Sequence, residues 1–378
     1  MTTTDTAPRP PEASPVRRAP VRRLLLFFLI IAIAGMLIMK FSGALDPKPR
    51  IALITASQGP YWDMIIRGAT DAARRNGATL DVINPPAAQQ EQAIRNLVGK
   101  GYDGVAVSPN DPVLQAKALA DVAAETNLIT FDSDCPIAGR LVFIGTDNYD
   151  AGRMSGQQVR EAIPDGGEVI IAIGSLDKQN GQQRRQGVID ELLERSFERD
   201  RPMDPVEGVL KGPKFTVVTT LVDGIDPAKA QSLAAEGLKK HPSVKCVVGL
   251  FAYSAPALLK ALENAGKLGQ VKVVGFDAYE ETLAGIESGH VYGTILQDPY
   301  YMGYETCRIL AESAHGNRQS IPLFQMRTIA CDAVTATNVA AMRQTLARQS
   351  GGAPRAAASA GDAPTTNPAQ ASTAPAAG

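Results

Sequence analysis

The sequence is short of the residues from which metal centres and disulfide frameworks are built. Its 378 residues include four cysteines and three histidines. The cysteines lie far apart without C-x-x-C spacing, and no histidine has a partner at zinc spacing, so we predict neither a metal site nor a cofactor. One disulfide bond between two of the cysteines remains an alternative in an oxidising compartment. The cysteines are Cys135, Cys246, Cys307 and Cys331.

An excess of positive charge is also missing. The chain has 38 basic and 39 acidic residues, a formal net charge of −1. Six of the basic residues fall within residues 1–40, which leaves 32 basic against 37 acidic residues in the body. A mildly acidic body has no sequence-independent attraction for phosphate backbones, so the composition excludes DNA and RNA as expected partners.

The signature motifs of common enzyme classes are absent as well. No G-x-G-x-x-G follows the first apolar run, and no G-x-x-x-x-G-K-[ST], H-E-x-x-H or G-x-S-x-G occurs anywhere. These motifs bind nucleotide phosphates, hold catalytic zinc or present a nucleophilic serine. We therefore predict a binding protein rather than an enzyme.

One long apolar run stands near the start of the chain. Residues 24–39 read LLLFFLIIAIAGMLIM and follow several arginines, a pattern typical of an export signal. The small residues Ser42-Gly43-Ala44 favour cleavage after Ala44. We predict that residues 1–44 direct the body to the periplasm. The alternative is an uncleaved inner-membrane anchor, because the run is long for a signal and slightly short for a full span.

The other end of the chain has a biased composition. Residues 351–378 hold eleven alanines and four prolines, almost no charge and no apolar periodicity. Such a segment cannot bury enough apolar surface to offset the entropy cost of ordering it. We predict a disordered tail over residues 349–378.

Between the ends, short runs rich in Val and Ile alternate with helical patterns. Continuous apolar runs separated by helices are typical of parallel strands that are covered on both faces, which is the doubly wound α/β fold class. The ten runs are residues 51–55, 79–84, 104–108, 128–132, 141–145, 168–174, 215–221, 244–250, 271–277 and 291–297.

Ten strands are more than a single sheet of this kind usually contains, and a new helix begins after the fifth run, at GTDNYDAGR (145–153). We predict two doubly wound parallel-sheet lobes, with a ligand cleft between the carboxyl ends of their strands.

Residues 196–213 interrupt the alternation with charges and prolines. We interpret them as a surface insertion.

The positions just after the predicted strands carry planar polar groups and aromatic rings. Planar polar groups bond hydroxyls in fixed directions, and aromatic rings cover the C–H faces of a sugar ring, so this mixture predicts a sugar or polyol ligand. For Asn148, capping of the next helix is about as well supported as ligand contact. The candidate residues are Tyr61, Trp62, Asp132, Ser133, Asn148, Arg184, Phe251, Tyr253, Asp277 and Gln297.

With these residues the sequence resembles the periplasmic sugar-binding proteins of the ribose-binding type, the solute receptors of ABC importers, over nearly all of residues 50–340. The resemblance places that family's ligand contacts on Tyr61, Trp62, Asp132, Asn148, Arg184, Asp277 and Gln297. The matching motifs are SQGPYWDMIIRGA (57–69), YDGVAVSPND (102–111), FDSD (131–134), IGTDNYDAG (144–152), RRQG (184–187), VVGFDAYEETLAGIESG (273–289) and TILQDPYYMG (294–303).

The resemblance implies a type I periplasmic-binding-protein fold and a monomer that closes on its sugar about a hinge and delivers it to the permease and ATPase of an importer. In such a receptor the N-terminal lobe comprises residues 45–147 and about 298–329, and the C-terminal lobe residues 148–297 and about 330–348. The chain then crosses between the lobes three times, near residues 146–150, 297–300 and 328–332. Two departures from ribose-binding members, Ser133 after Asp132 and Phe251-Ala252 in place of an Asn-Asp pair, predict a ligand other than ribose. Another sugar, a sugar alcohol or another polyol, larger and more apolar on one face, fits better.

Two alternatives share the same binding chemistry. A sensory receptor would hand its closed form to a membrane histidine kinase or chemoreceptor, and only the partner distinguishes it from a transport receptor. The ligand domain of a LacI-type repressor would carry a helix-turn-helix before the first strand. In this chain the apolar export run occupies that place.

Overall fold

Parallel strands and helices alternate along the computed structural model, which describes residues 19–41 and 47–351. The strands are β1 (Arg50–Ile54), β2 (Thr79–Ile83), β3 (Gly104–Val107), β4 (Asn127–Phe131), β5 (Val142–Thr146), β6 (Gly167–Ile173), β7 (Leu210–Lys211), β8 (Phe215–Val222), β9 (Val244–Gly249), β10 (Lys272–Phe276), β11 (Gly293–Leu296), β12 (Met326–Ile329) and β13 (Asp332–Thr335). The helices are α1 (Ala19–Phe41), α2 (Pro60–Arg75), α3 (Gln90–Arg95), α4 (Ala116–Glu125), α5 (Asn148–Ala162), α6 (Gln179–Leu192), α7 (Pro227–Lys240), α8 (Ser254–Asn264), α9 (Glu280–Glu287), α10 (Pro299–Ala314) and α11 (Val339–Ser350).

The strands form two sheets, which confirms the predicted fold class. The first sheet has the order β12-β5-β4-β3-β1-β2, and all its neighbours are parallel. The second has the order β13-β11-β10-β9-β6-β8-β7, with β13 and β7 antiparallel to their neighbours. We call the first sheet and its helices the N-lobe, and the second sheet and its helices the C-lobe.

Each of the ten predicted runs forms a strand. Most of these strands are buried on both faces, whereas β2, at the edge of its sheet, is exposed or half-buried throughout. In β1, Ile51 and Leu53 join one apolar cluster, whereas Ala52 and Ile54 join another on the opposite face of the sheet. The C-lobe sheet is covered in the same way by two further clusters. All four cysteines are free thiols, and Cys246 is fully buried in the C-lobe core.

Three strands were not predicted from the sequence. They are β7, β12 and β13, which lie at sheet edges. In β12, Met326, Arg327 and Thr328 are exposed and only Ile329 is buried. An edge strand with one covered residue has no apolar run, so hydrophobic periodicity cannot reveal it.

The chain crosses between the lobes three times, at the positions expected. The first crossing joins β5 of the N-lobe to α5 of the C-lobe, and the second joins β11 of the C-lobe to α10, which packs against α2. The third joins β12 to β13 through residues 330–331. Three adjacent short crossings allow the lobes to rotate about a hinge.

The predicted surface insertion is only partly a surface feature. Most of residues 196–213 are exposed or half-buried. The buried guanidinium of Arg185, however, donates to the carbonyl oxygens of Asp204 and Pro205. Asp190, also buried, pairs with Arg195 and Arg201. These contacts fasten the segment to α6.

The predicted ends of the chain fall largely outside the described residues. The cleavage site Ser42-Gly43-Ala44 and residues 352–378 of the tail both lie outside them. Within the described residues, no helix combines the length and apolarity needed to cross a membrane. The tail was predicted to begin at residue 349, but Gln349 and Ser350 form the last turn of α11, where Gln349 is buried and donates to Asp298.

Candidate functional site

A cavity of about 460 Å³ opens between the two lobes at the carboxyl ends of their strands. This is the edge at which open parallel sheets bind ligands. Its size is within the range of small-molecule sites. The side chains that line it and carry polar or aromatic groups are Ser57, Gln58, Tyr61, Trp62, Asn110, Asp132, Lys178, Asn180, Arg184, Phe251, Tyr253, Asp277, Tyr279 and Gln297.

Asp132 supplies the N-lobe carboxylate. It follows the last residue of β4 with a φ of 60°, a left-handed conformation that Asp tolerates better than most residues. Its Oδ1 accepts a hydrogen bond from the Tyr61 hydroxyl at 2.9 Å, and its Oδ2 accepts one from the Ser108 hydroxyl at 3.0 Å. The two hydroxyls hold the carboxylate in one orientation.

Tyr61 and Trp62 form the aromatic wall on the N-lobe side. They lie in the first turn of α2, and their rings meet edge to face with centroids 5.2 Å apart. Burial, followed by the nearby carboxylates of Asp132 and Asp277, raises the pKa of the Tyr61 phenol well above its usual value. The phenol therefore stays protonated and acts as a donor to Asp132.

Arg184 supplies the C-lobe guanidinium. It lies on α6 with 4% of its surface exposed, and its guanidinium carbon is 4.1 Å from the centroid of the Phe276 ring. Its Nε donates to Asn148 Oδ1 at 2.8 Å, Nη1 to the carbonyl oxygen of Leu250 at 3.1 Å, and Nη2 to Gln297 Oε1 at 3.1 Å. A guanidinium has five N–H groups, so two remain for a ligand.

A glycine allows α6 to bring Arg184 this close to α5. A Cβ atom added to Gly152 would lie 2.2 Å from the carbonyl oxygen of Arg184. Such a distance is far below van der Waals contact, so no other residue fits at this position of α5 without moving α6.

Asp277 and Gln297 complete the floor of the cavity. The Gln297 Nε2 amide donates to both carboxylate oxygens of Asp277 at 3.1 Å, while its Oε1 accepts from Arg184. Gln297 thus stands between the carboxylate and the guanidinium. Burial raises the pKa of Asp277 to about 6, although Arg184 and the bonds from Gln297 oppose that rise.

Two more aromatic residues line the C-lobe side. The Tyr253 hydroxyl donates to Asp223 Oδ1 at 2.6 Å, so Tyr253 offers the cavity mainly its ring. Phe251 lies next to it, with ring centroids 6.1 Å apart. Aromatic surface therefore faces the cavity from both lobes, around a polar floor.

Eight of the ten candidate residues line this cavity, and Ser133 and Asn148 do not. Both line a smaller neighbouring cavity of about 190 Å³ instead. The Asn148 side chain lies behind Arg184, where its Oδ1 accepts from that residue and its Nδ2 donates to the carbonyl oxygen of Thr146. Asn148 positions the arginine rather than facing the cavity.

The cavity has six further polar or aromatic lining residues that the strand-end pattern did not single out: Ser57, Gln58, Asn110, Lys178, Asn180 and Tyr279. Asn110 lies shortly after β3, and Tyr279 lies two residues after Asp277. Both positions follow strand ends, so the rule that found the other residues would have found them. Lys178 and Asn180 lie within a polar loop and the first turn of α6, where no pattern distinguishes lining residues from solvated ones.

Comparisons with known proteins agree with this geometry. The family described as periplasmic binding protein domain matches residues 51–318. The D-allose-binding periplasmic protein of Escherichia coli K12 is 26% identical over 277 residues, which covers 70% of this chain and 83% of that protein. The D-ribose/D-allose-binding protein of Pseudomonas aeruginosa PAO1 is 23% identical over 294 residues, covering 74% of this chain and 86% of that protein.

A solved structure is similar to this chain in fold and in sequence. The solute-binding protein of an ABC transporter from Burkholderia graminis C4D1M, in complex with D-arabinose, superposes with a TM-score of 0.69. It is 27% identical, and the match covers 78% of this chain and 97% of that one.

Proposed function

We propose a function from one premise: this chain belongs to the periplasmic binding protein domain family. It is the substrate-binding protein of an ABC importer, and it captures a sugar or polyol between its lobes. Closure of the hinge surrounds the ligand, and the closed form delivers it to a membrane permease. The E. coli and Pseudomonas relatives are named for the sugars they bind, and the Burkholderia protein holds D-arabinose.

One observation carries the proposal. A single cavity holds Asp132 from one lobe and Asp277 from the other, with Arg184 and Gln297 between aromatic walls. Carboxylates accept hydrogen bonds from hydroxyls, and Arg184 has donors left for ligand oxygens. Because the groups come from both lobes, a ligand that satisfies them favours the closed form.

Thermal-shift screening of the full chain against pentoses, hexoses and polyols tests the function. A ligand that binds only the folded state at about 100 times its Kd adds about 2.7 kcal/mol of stability, which is a clear rise in melting temperature. Failure of every sugar and polyol to raise the melting temperature would contradict the proposal.

The role of Arg184 is tested on the ligand so found. Losing a hydrogen bond to a charged group costs about 1.5–3 kcal/mol, so Arg184→Ala should weaken binding about ten- to a hundredfold. Arg318→Ala, which removes an exposed arginine outside the cavity, is the matched control. Unchanged affinity in Arg184→Ala would remove this residue from the site.

We also propose that the chain works in the periplasm after cleavage behind Ala44. The export pattern of residues 24–39 supports this proposal. Mature protein from the native host should begin at or near Leu45 and occur in the soluble periplasmic fraction. Recovery only with membranes, with residues 24–39 intact, would make it a tethered receptor.

A further inference from the structure

Lys178 brings a second cation to the cavity. It is the residue before α6 in the C-lobe, and its Nζ donates across the cleft to Asn110 Oδ1 of the N-lobe at 3.3 Å. Among residues 19–41 and 47–351, no carboxylate oxygen lies within 4 Å of this ammonium group. An ammonium has three N–H groups, so two are left without a partner.

The neighbouring amides offer donors as well. Asn110 Oδ1 is engaged by Lys178, while the Nδ2 of the same amide is buried without a hydrogen-bond partner in the described part of the chain. Asn180 Oδ1 accepts from the backbone N–H of Gly181 at 2.7 Å, which leaves its Nδ2 as the group to bond a ligand. A buried donor without a partner is costly, so a ligand acceptor at this place would be favoured.

The N-terminus of helix α6 also favours a negatively charged group of the ligand at this place. The 14-residue helix α6 begins at Gln179, and no side chain caps its N-terminus. The N-terminal pole of a helix attracts negative charge. Burial lowers the pKa of the Lys178 ammonium, and the carboxylates of Asp132 and Asp111 offset only part of that effect. The cost of burying the Lys178 ammonium is therefore not fully offset by the carboxylates of the protein.

We propose that the ligand is a sugar acid, whose carboxylate accepts hydrogen bonds from Lys178, Asn110 and Asn180. The corner of the cavity formed by Lys178, Asn110 and Asn180 offers N–H donors, because the side-chain oxygens of both amides already accept hydrogen bonds. An ionised carboxylate only accepts hydrogen bonds, so it matches these donors. The hydroxyls of the same ligand bind the other groups of the cavity: Asp132, Arg184, Asp277 and Gln297. The inference rests on the proposed function and narrows its substrate class.

The test compares sugars that differ only at one carbon. The full chain is titrated calorimetrically with D-glucose and D-glucuronate, D-galactose and D-galacturonate, and D-mannose and D-mannuronate. In the pair with the right stereochemistry, the acid should bind about tenfold more tightly or better than the neutral sugar, as expected for a desolvated charge-assisted contact. The sugar 6-phosphates form a third series, and they should bind more weakly than the acids.

Variants of Lys178 and Asn180 test whether these residues cause the preference for the acid. Lys178→Met should remove most of the preference for the acid, because it lowers the affinity for the acid more than the affinity for the neutral sugar, whereas Lys178→Arg should retain most of the preference. Lys239→Met removes an exposed lysine at the end of α7 and should change neither affinity. Melting temperatures of the unliganded variants verify folding, and Asn180→Ala provides a second variant in the same corner.

Each outcome is decisive. Binding of a neutral sugar at least as tight as that of its acid would overturn the sugar-acid inference and leave the proposed function standing. A preference for the acid that survives in both Lys178→Met and Asn180→Ala would overturn it too, as would tighter binding of a 6-phosphate. Absence of binding by every acid would overturn the sugar-acid inference, whereas the proposed function is decided separately by the wider thermal-shift screen of pentoses, hexoses and polyols.

Discussion

Asp132 and Asp277 hold equivalent positions in the two lobes. Each directly follows a phenylalanine that ends a strand, β4 or β10, and each has a left-handed φ, 60° and 61° respectively. The backbone N–H of Asp132 donates to Ile144 on the next strand, and that of Asp277 donates to Ile295 in the same way. The repeated geometry aims one carboxylate from each lobe into the same cavity.

Because of this backbone geometry, two substitutions of Asp132 can distinguish an effect on ligand binding from an effect on folding stability. Asn tolerates a positive φ nearly as well as Asp, so Asp132→Asn should keep the unliganded melting temperature while binding weakens about ten- to a hundredfold. Asp132→Val should also lose about 1–3 kcal/mol of stability, because a β-branched residue is strained at this φ. Calorimetric titration and thermal unfolding measure the two effects. Wild-type affinity in Asp132→Asn would contradict the assigned role.

The raised pKa of Asp277 predicts a pH dependence of stability. Since its carboxyl pKa rises from 3.8 in the unfolded chain to about 6 in the folded protein, the folded state binds the proton more readily between these values. The contribution of Asp277 to the free energy of unfolding is therefore largest at low pH and is lost as the pH rises from about 4 to about 6. Asp277→Asn should flatten this slope in denaturant unfolding, whereas Asp63→Asn, at an exposed site on α2, should not.

The same carboxyl predicts the pH dependence of binding. A ligand hydroxyl donates to the ionised form of Asp277, so affinity should strengthen as the pH rises through about 6. Titrations of the screened ligand between pH 5 and pH 8, read against Asp277→Asn as the reference, check the direction. Affinity that weakens over this interval would show that Asp277 binds its ligand in the protonated form.

The close contact between α5 and α6 predicts an effect on binding from a residue outside the cavity. Gly152→Ala places a methyl group against the backbone of Arg184, so α6 must shift. Overpacking of this kind costs about 1–3 kcal/mol of stability, and we expect affinity to fall about tenfold because the guanidinium moves with its helix. Gln157→Ala, at an exposed position of α5, is the control. Equal affinities in the two variants would mean that the helix shift does not reach the site.

The three crossings predict closure on ligand binding. Residues of both lobes line the cavity, so ligand should stabilise the form in which the lobes approach each other. Small-angle scattering of the full chain should give a smaller radius of gyration with ligand than without it. Arg184→Ala at the same ligand concentration should give a smaller decrease, in proportion to its lower occupancy. An unchanged radius in the wild type at saturating ligand would contradict a hinge that closes.

The strands that are covered on both faces could be predicted from the amino-acid sequence alone. Burial of both faces demands an unbroken apolar run, and β1 and β9 therefore stand out without any tertiary information. The topological rule for parallel sheets then selected the residues after those strands, which is why Asp132, Asp277 and Gln297 were found. A strand such as β12, whose side chains are mostly exposed, leaves no such pattern.

The roles of the predicted site residues depend on contacts that form only in the folded chain. Asn148 follows a strand like the others, yet its amide is engaged by Arg184, a contact between two helices that no local pattern encodes. The hydrogen bond between Lys178 and Asn110 exists because the cleft brings residues 68 positions apart in the chain into contact. The raised pKa of Asp277 has the same origin, because its carboxyl is buried only in the folded chain, where Gln297 lies beside it.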